Sequence, residues 1–250
     1  MTRPIEISRH GTVALVEMRA GKANAMNGRF LAALEAVLDE LDDAHAVVFV
    51  GDGGSFSAGL ALPDLIDLDR AGILDLITHF ERVMRRVLAL PIATVAAING
   101  HAYAGGCVLA LMCDARLMAN GHAKIGLNEI VLGIGLPALV VEPLRVRVPA
   151  HLYAPMALEG RLFSADDAGR AHLVDETVAL EDLVKRALAH ATMLGRAPAA
   201  YAQIKQALLR PVLDAIDRSA AADRAAWVET WFSPHAQATL RAAVDKIRKR

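Results

Sequence analysis

Two glycine-bearing stretches, each placed where a strand must give way to a helix, constrain this chain more than any other feature. The first reads Asp52-Gly53-Gly54-Ser55-Phe56-Ser57-Ala58-Gly59-Leu60-Ala61-Leu62 and follows the apolar run Ala46 to Val50. The second reads Asn99-Gly100-His101-Ala102-Tyr103-Ala104-Gly105-Gly106-Cys107-Val108 and follows Ile92 to Ile98. A loop that leaves a strand and enters a helix presents backbone N–H groups with no intrahelical acceptor. Two such groups aimed at one point stabilise negative charge on a carbonyl oxygen. A pair of loops of this kind therefore points to an α/β core whose chemistry passes through an enolate.

The rest of the pattern agrees with that class. Ile5 to Arg9 and Val13 to Met18 flank His10-Gly11 and read as an antiparallel pair. Asn27 is placed to cap a helix running from Gly28 to about Asp43, and His45 to Val50 forms the next strand. Ile73 to Leu90 has helical spacing, with Ile73, Leu76, Ile77, Phe80, Val83, Met84 and Val87 on one face, and Pro91 ends it. A short helix from Gly105 to Cys113 and strands at Ala115 to Met118 and Lys124 to Gly126 follow. Alternating strands and helices imply buried, largely parallel pairing. After Pro149 the chain reads almost wholly as helix, with Ser164 as an N-cap and Glu181 to Leu194 as one helix. Three helical patterns follow Pro198, divided near Pro211 and Ser233-Pro234. The expected division is a core over 1–196 and a helical segment over 197–250 that packs on the core or on another subunit.

Bulk properties narrow the partners. The net charge is −1 and aromatic residues make up 4 % of the 250 positions, so neither a nucleic-acid surface nor base-stacking platforms are expected. The apolar fraction, 54 %, suits a large core plus an interface. Apolar runs such as Val87 to Ile98 are broken by proline and fall short of the ~18–20 residues that span a bilayer. Cys107 and Cys113 lie in an apolar helical stretch and suit a reducing compartment, so a cytoplasmic location is expected. The nine histidines lack metal-ligand spacing, and no metal is expected. Gly133-Ile134-Gly135-Leu136-Pro137-Ala138 formally matches a dinucleotide fingerprint, but its proline and its context argue for a turn.

The two loops, with Ala96-Ala97-Ile98-Asn99-Gly100 and Cys113-Asp114, resemble the crotonase (enoyl-CoA hydratase/isomerase) superfamily over nearly the whole chain. Ser164-Ala165-Asp166-Asp167-Ala168 to Leu173-Val174-Asp175 is similar to a later segment of that family. The resemblance implies a spiral of strand-strand-helix turns, a C-terminal helical segment that assembles homotrimers or hexamers, and an acyl-CoA substrate. Coenzyme A would be part of that substrate, with no further cofactor. It also implies that Leu60 and Gly105 supply the two oxyanion-hole N–H groups, within a wall that includes Ala58, Gly59, Ala61 and Leu62. Lys22, Ala23 and Ala25 fall where the family's adenine-side loop sits. Ala61 stands where the family commonly has Asp, a departure that removes a polar contact.

Hydratases of this family carry two glutamates. At the first of those positions, directly after Cys107, this chain has Val108; at the second it has Glu129. Adding water across a double bond needs two positioned acid–base groups, whereas one carboxylate suffices to move a proton from C2 to C4 of a 3-enoyl thioester. Ile125-Gly126-Leu127-Asn128-Glu129 and Leu132-Gly133-Ile134 look like the mitochondrial-type Δ3,Δ2-enoyl-CoA isomerase branch. That resemblance implies Glu129 as base and acid, with a pKa raised by apolar neighbours, and Asn128 in contact with substrate. A decarboxylase or weak hydratase, and a non-catalytic acyl-CoA-binding subunit, are the alternatives.

Overall fold

The computed structural model describes residues 3–21 and 23–249. Its first sheet takes β1 (Ile5–His10), β2 (Val13–Met18), β3 (Ala46–Gly51), β5 (Ala93–Ile98), β7 (Ala115–Ala119) and β10 (Glu176–Val178), side by side in that order. Within this sheet, among the described residues, β1 and β2 pair antiparallel and each later neighbour pairs in parallel. A second sheet takes β4 (Ser55–Ser57), β6 (His101–Tyr103), β8 (Lys124–Gly126) and β9 (Phe163–Ser164). The chain thus lays one strand in the first sheet, the next in the second, and returns through a helix. Repetition of that step generates the spiral that the resemblance implies.

The period-2 alternation of the strands separates two apolar faces. Val13, Leu15, Ala46, Val48, Val50, Val95 and Ala97 point to one side, where Leu183, Ala187 and Ala191 of a late helix cover them. Ala14, Val16, Met18, Val47, Phe49, Ala96 and Ile98 point to the other and belong to the main core. The helices are α1 (Gly28–Asp39), α2 (Leu62–Leu65), α3 (Arg70–Ala89), α4 (Gly105–Met112), α5 (Ala138–Arg147), α6 (Tyr153–Ala157), α7 (Ala165–Arg170), α8 (Leu183–Leu194), α9 (Pro198–Trp231) and α10 (Pro234–Arg248). Asn27, Asp69, Ser164 and Ser233 cap four of them through side-chain oxygens.

Several expectations require correction. The first helix stops at Asp39, with Glu40 as its C-cap, rather than at Asp43. Ser55–Ser57 and His101–Tyr103, read as loop, are short strands of the second sheet, and Phe163–Ser164 and Glu176–Val178 interrupt the supposedly helical second half. Strands of two or three residues carry too few side chains to show alternation. Pro211 does not divide the C-terminal segment: α9 runs unbroken through it, 34 residues in all. An internal proline costs ~3 kcal/mol or more. Here Leu209, Val212 and Ile216 are buried, Arg85 pairs with Asp217 and Arg224 with Glu81, and this docking outweighs the lost bond.

The C-terminal helices pack on their own chain. α9 lies against α3 and α5, and α10 against α2. A buried polar cluster pins the start of α9: the Asp114 carboxylate accepts from Lys205 (2.7 Å), Tyr201 (2.8 Å), Arg147 (2.9 Å) and Thr94 (3.0 Å). Burial pushes Asp114 up, and Lys205 and Arg147 more than reverse that, holding it below the ordinary carboxylate range. Among the described residues no helix is long and apolar enough to cross a membrane.

Candidate active site

The two glycine-bearing loops meet. Gly59 adopts φ +82°, and a Cβ there would lie 2.7 Å from the Gly105 nitrogen, so only glycine permits the contact. A Cβ on Gly106 would overlap the Ser57 carbonyl, which lets the first turn of α4 press on β4. Leu60 forms a single parallel bridge with Met26, but that bridge uses the N–H groups of Met26 (to Gly59 O, 2.7 Å) and Ala61 (to Met26 O, 2.9 Å). The Leu60 N–H takes no part in it. Gly105 opens α4, where an N–H has no acceptor within the helix. Just before it, Ala104 sits at φ 47°, ψ −119°, a region that L-residues rarely occupy. Strain of that sort costs about 1–3 kcal/mol and recurs where a backbone group is aimed at a ligand.

Leu60 and Gly105 share one cavity of about 860 Å³. Of the residues singled out in the sequence, Glu129, Asn128, Ala23, Ala25, Ala58, Ala61 and Leu62 also line it. Gly59 stands behind the wall, wedged against Gly105, and Lys22 lies outside the described residues. The loop containing Ala23 is tied to the first glycine-bearing loop by Ala58 N–H to Ala23 O (2.9 Å). Asn24, which went unnoticed in the sequence, is buried at φ 46°. Its side chain accepts from Ala20 N–H (2.8 Å) and donates to Ser55 O (3.1 Å), and its carbonyl accepts from Ser57 Oγ (2.7 Å). An Asn among turn residues is the signal that could have found it.

Glu129 begins a single 3-10 turn, Glu129–Leu132, that follows β8 and Asn128. Its residue surface is half-buried, yet Oε2 is shielded from solvent and has no hydrogen-bond partner, as is also true of Asn128 Oδ1. Burial pushes its carboxyl up to about 7, opposed in part by its own backbone N–H. Val108 and Leu132 line the same cavity. The remaining carboxylate of the lining, Asp64, is exposed and accepts from Asn27 (2.7 Å). Cys107 is buried and its thiol is pushed up by that burial, so it behaves as a small apolar group.

Away from Glu129 the wall is apolar: Ile77 and Phe80 from α3, Ile134 and Val140, and Trp227 and Trp231 from α9. The two indoles stack with centroids 5.3 Å apart. Sequence periodicity marks these residues as core, and a cavity wall carries the same apolar signal. His101 and Tyr103 also line the cavity: His101 Nδ1 accepts from Lys124 N–H (3.1 Å) and lies 2.6 Å from the Tyr103 hydroxyl. Two backbone N–H groups and a carboxyl with a buried oxygen in one cavity, with an apolar extension, suit a thioester whose α-carbon gains or loses a proton.

Comparison with known proteins leads to the same class. The family model for enoyl-CoA hydratase/isomerase matches residues 8–249. A probable enoyl-CoA hydratase of Mycobacterium bovis is 32 % identical over 212 residues, covering 82 % of this chain and 81 % of that protein. Human enoyl-CoA delta isomerase 1, mitochondrial, is 31 % identical over 204 residues, covering 79 % of this chain and 67 % of that protein. The crystal structure of human mitochondrial delta3-delta2-enoyl-CoA isomerase superposes with a TM-score of 0.93 over 98 % of both chains; at 24 % identity this is a likeness of fold. The sheet order, the paired loops and these matches together make the chain a member of the enoyl-CoA hydratase/isomerase, or crotonase, family.

Proposed function

We propose that this enzyme shifts the double bond of a 3-enoyl-CoA to the 2-position. The thioester carbonyl accepts from the N–H groups of Leu60 and Gly105, and Glu129 removes a proton from C2. The C2–H electron pair enters the dienolate, whose negative charge rests on the oxygen held by the two donors. Glu129, now neutral, returns the proton to C4, and the double bond comes to lie between C2 and C3. Atoms and charge balance with no other reactant. The adenine end would lie by Ala23 and Ala25, and the acyl chain along Phe80, Val140 and the tryptophan pair.

The observation that carries this reading is the Glu129 carboxyl, whose Oε2 is buried without a partner and whose pKa burial pushes up to about 7, in a cavity where position 108 is valine. A base that must also act as an acid works best with a pKa near the operating pH. Hydration is the second reading, favoured by the names of the mycobacterial relatives. It would need water held and activated on one face, and Val108 offers no hydrogen bond for that. Purified protein given a 3-enoyl-CoA is expected to form the 2-enoyl-CoA, and given a 2-enoyl-CoA to add little water. Glu129→Gln should lower kcat by at least about 10³-fold, since it removes the only proposed proton carrier. Parent-like turnover by that variant, or hydration as the main activity, would overturn the proposal. Assembly into trimers or hexamers belongs to the same reading and is checked by the mass of the protein in solution.

A further inference from the structure

The turn that bears Glu129 has few holds of its own. It is one 3-10 turn long, its outer residues Ile130 and Val131 are 46 % and 59 % exposed, and it ends at Gly133 in the left-handed region. Oε2 has no protein hydrogen bond to aim it. Its direction must therefore come from where the backbone of this segment is held.

That hold comes from the other end of the chain. Gly135 N–H donates to Thr230 Oγ1 (3.0 Å), and the Thr230 hydroxyl donates to the carbonyl of Trp227 (2.7 Å). Three residues further, Ala138 N–H donates to Asp223 Oδ2 (2.9 Å), which also accepts from Ser219 Oγ (2.8 Å). At Gly133 a Cβ would lie 2.9 Å from His235 Cδ2, so the turn abuts the start of α10. Ile134 N–H returns to Glu129 O (3.0 Å), coupling the clamped segment to the residue that bears the carboxylate.

We propose that Thr230, backed by Asp223, is a positioning residue that sets the Glu129 carboxylate against C2 and C4 of the substrate. The inference rests on Glu129 being the base. A relay between two carbons requires the same oxygen pair to come within reach of each in turn. An error of about 1 Å in the carrier can cost on the order of 10²-fold in rate. Thr230 holds backbone on the acyl side of the cavity, away from the proposed adenine end by Ala23 and Ala25, so its loss acts on the proton steps more than on CoA affinity.

The test uses Thr230→Val and Thr230→Ser, with kcat, KM and the fate of deuterium placed at C2 of a 3-enoyl-CoA. Thr230→Val should lower kcat by about 10- to 100-fold with KM changed by less than about threefold. The fraction of label delivered to C4 rather than lost to solvent, per turnover, should fall. Thr230→Ser should restore all three values. If Thr230→Val does not yield folded protein, Asp223→Ala should show the same loss of label transfer and Asp223→Asn should not. A lowered kcat with unchanged label transfer would mean only lost folded enzyme and would overturn the inference. So would parent-like kinetics in Thr230→Val while Glu129→Gln is inactive, which leaves the function standing. An active Glu129→Gln removes both.

Discussion

At the scale of single residues, Glu129 carries a cost that its pKa expresses. A carboxyl with a native value of about 7 binds its proton more tightly folded than unfolded. The stability this contributes is fully present below the ordinary carboxylate range and is lost as the pH rises through about 7. Glu129→Gln has no such dependence. Its stability relative to the parent, read by urea unfolding, should grow by about 2 kcal/mol between about pH 5.5 and about pH 8. A constant difference would mean that the carboxyl is not held near 7. The residue type and part of its apolar surroundings were legible in the sequence through Val108 and Leu132, which share its cavity. Asn24 was not, because its role lies in a buried backbone connection between loops thirty-one positions apart. Ala104 was likewise silent: a positive φ at alanine leaves no compositional trace.

Among the elements, the long strands and helices were legible, since α3 and β2, β3 and β5 carry enough residues to show period and burial together. The short strands of the second sheet were hidden for the opposite reason, and Pro211 misled because tertiary docking overrode a local preference. The Asp114 cluster carries part of that docking. Lys205, on α9, donates both to Asp114 and to the carbonyl of Ile92 at the edge of β5 (3.0 Å). Replacing it leaves a buried carboxylate with one cation fewer. Lys205→Met is expected to cost about 3 kcal/mol in urea unfolding at neutral pH, while Asp217→Asn, at an exposed pair, should cost under about 1 kcal/mol. Equal effects would show that the cluster does not fasten the helix.

For the whole molecule, residues from both ends of the chain enclose one cavity. The loop near Ala23, the two glycine-bearing loops and α9 with α10 all reach it, so neither the expected core nor the expected helical segment encloses it alone. The sequence division at 197 followed the restart of the helical pattern at Pro198, and helical periodicity does not register which chain a helix covers. The stacked indoles described above have an optical consequence. Trp227 and Trp231 are the two tryptophans of the whole sequence, and both belong to the cavity wall. Indole emission from this protein therefore originates entirely at the place where an acyl chain would lie. Adding an acyl-CoA to Glu129→Gln should shift or quench that emission in a saturable way, whereas coenzyme A alone should change it little. An unaltered spectrum under conditions where calorimetry records binding would place the acyl chain elsewhere. The protein carries its own reporter of occupancy, without a label and independent of turnover.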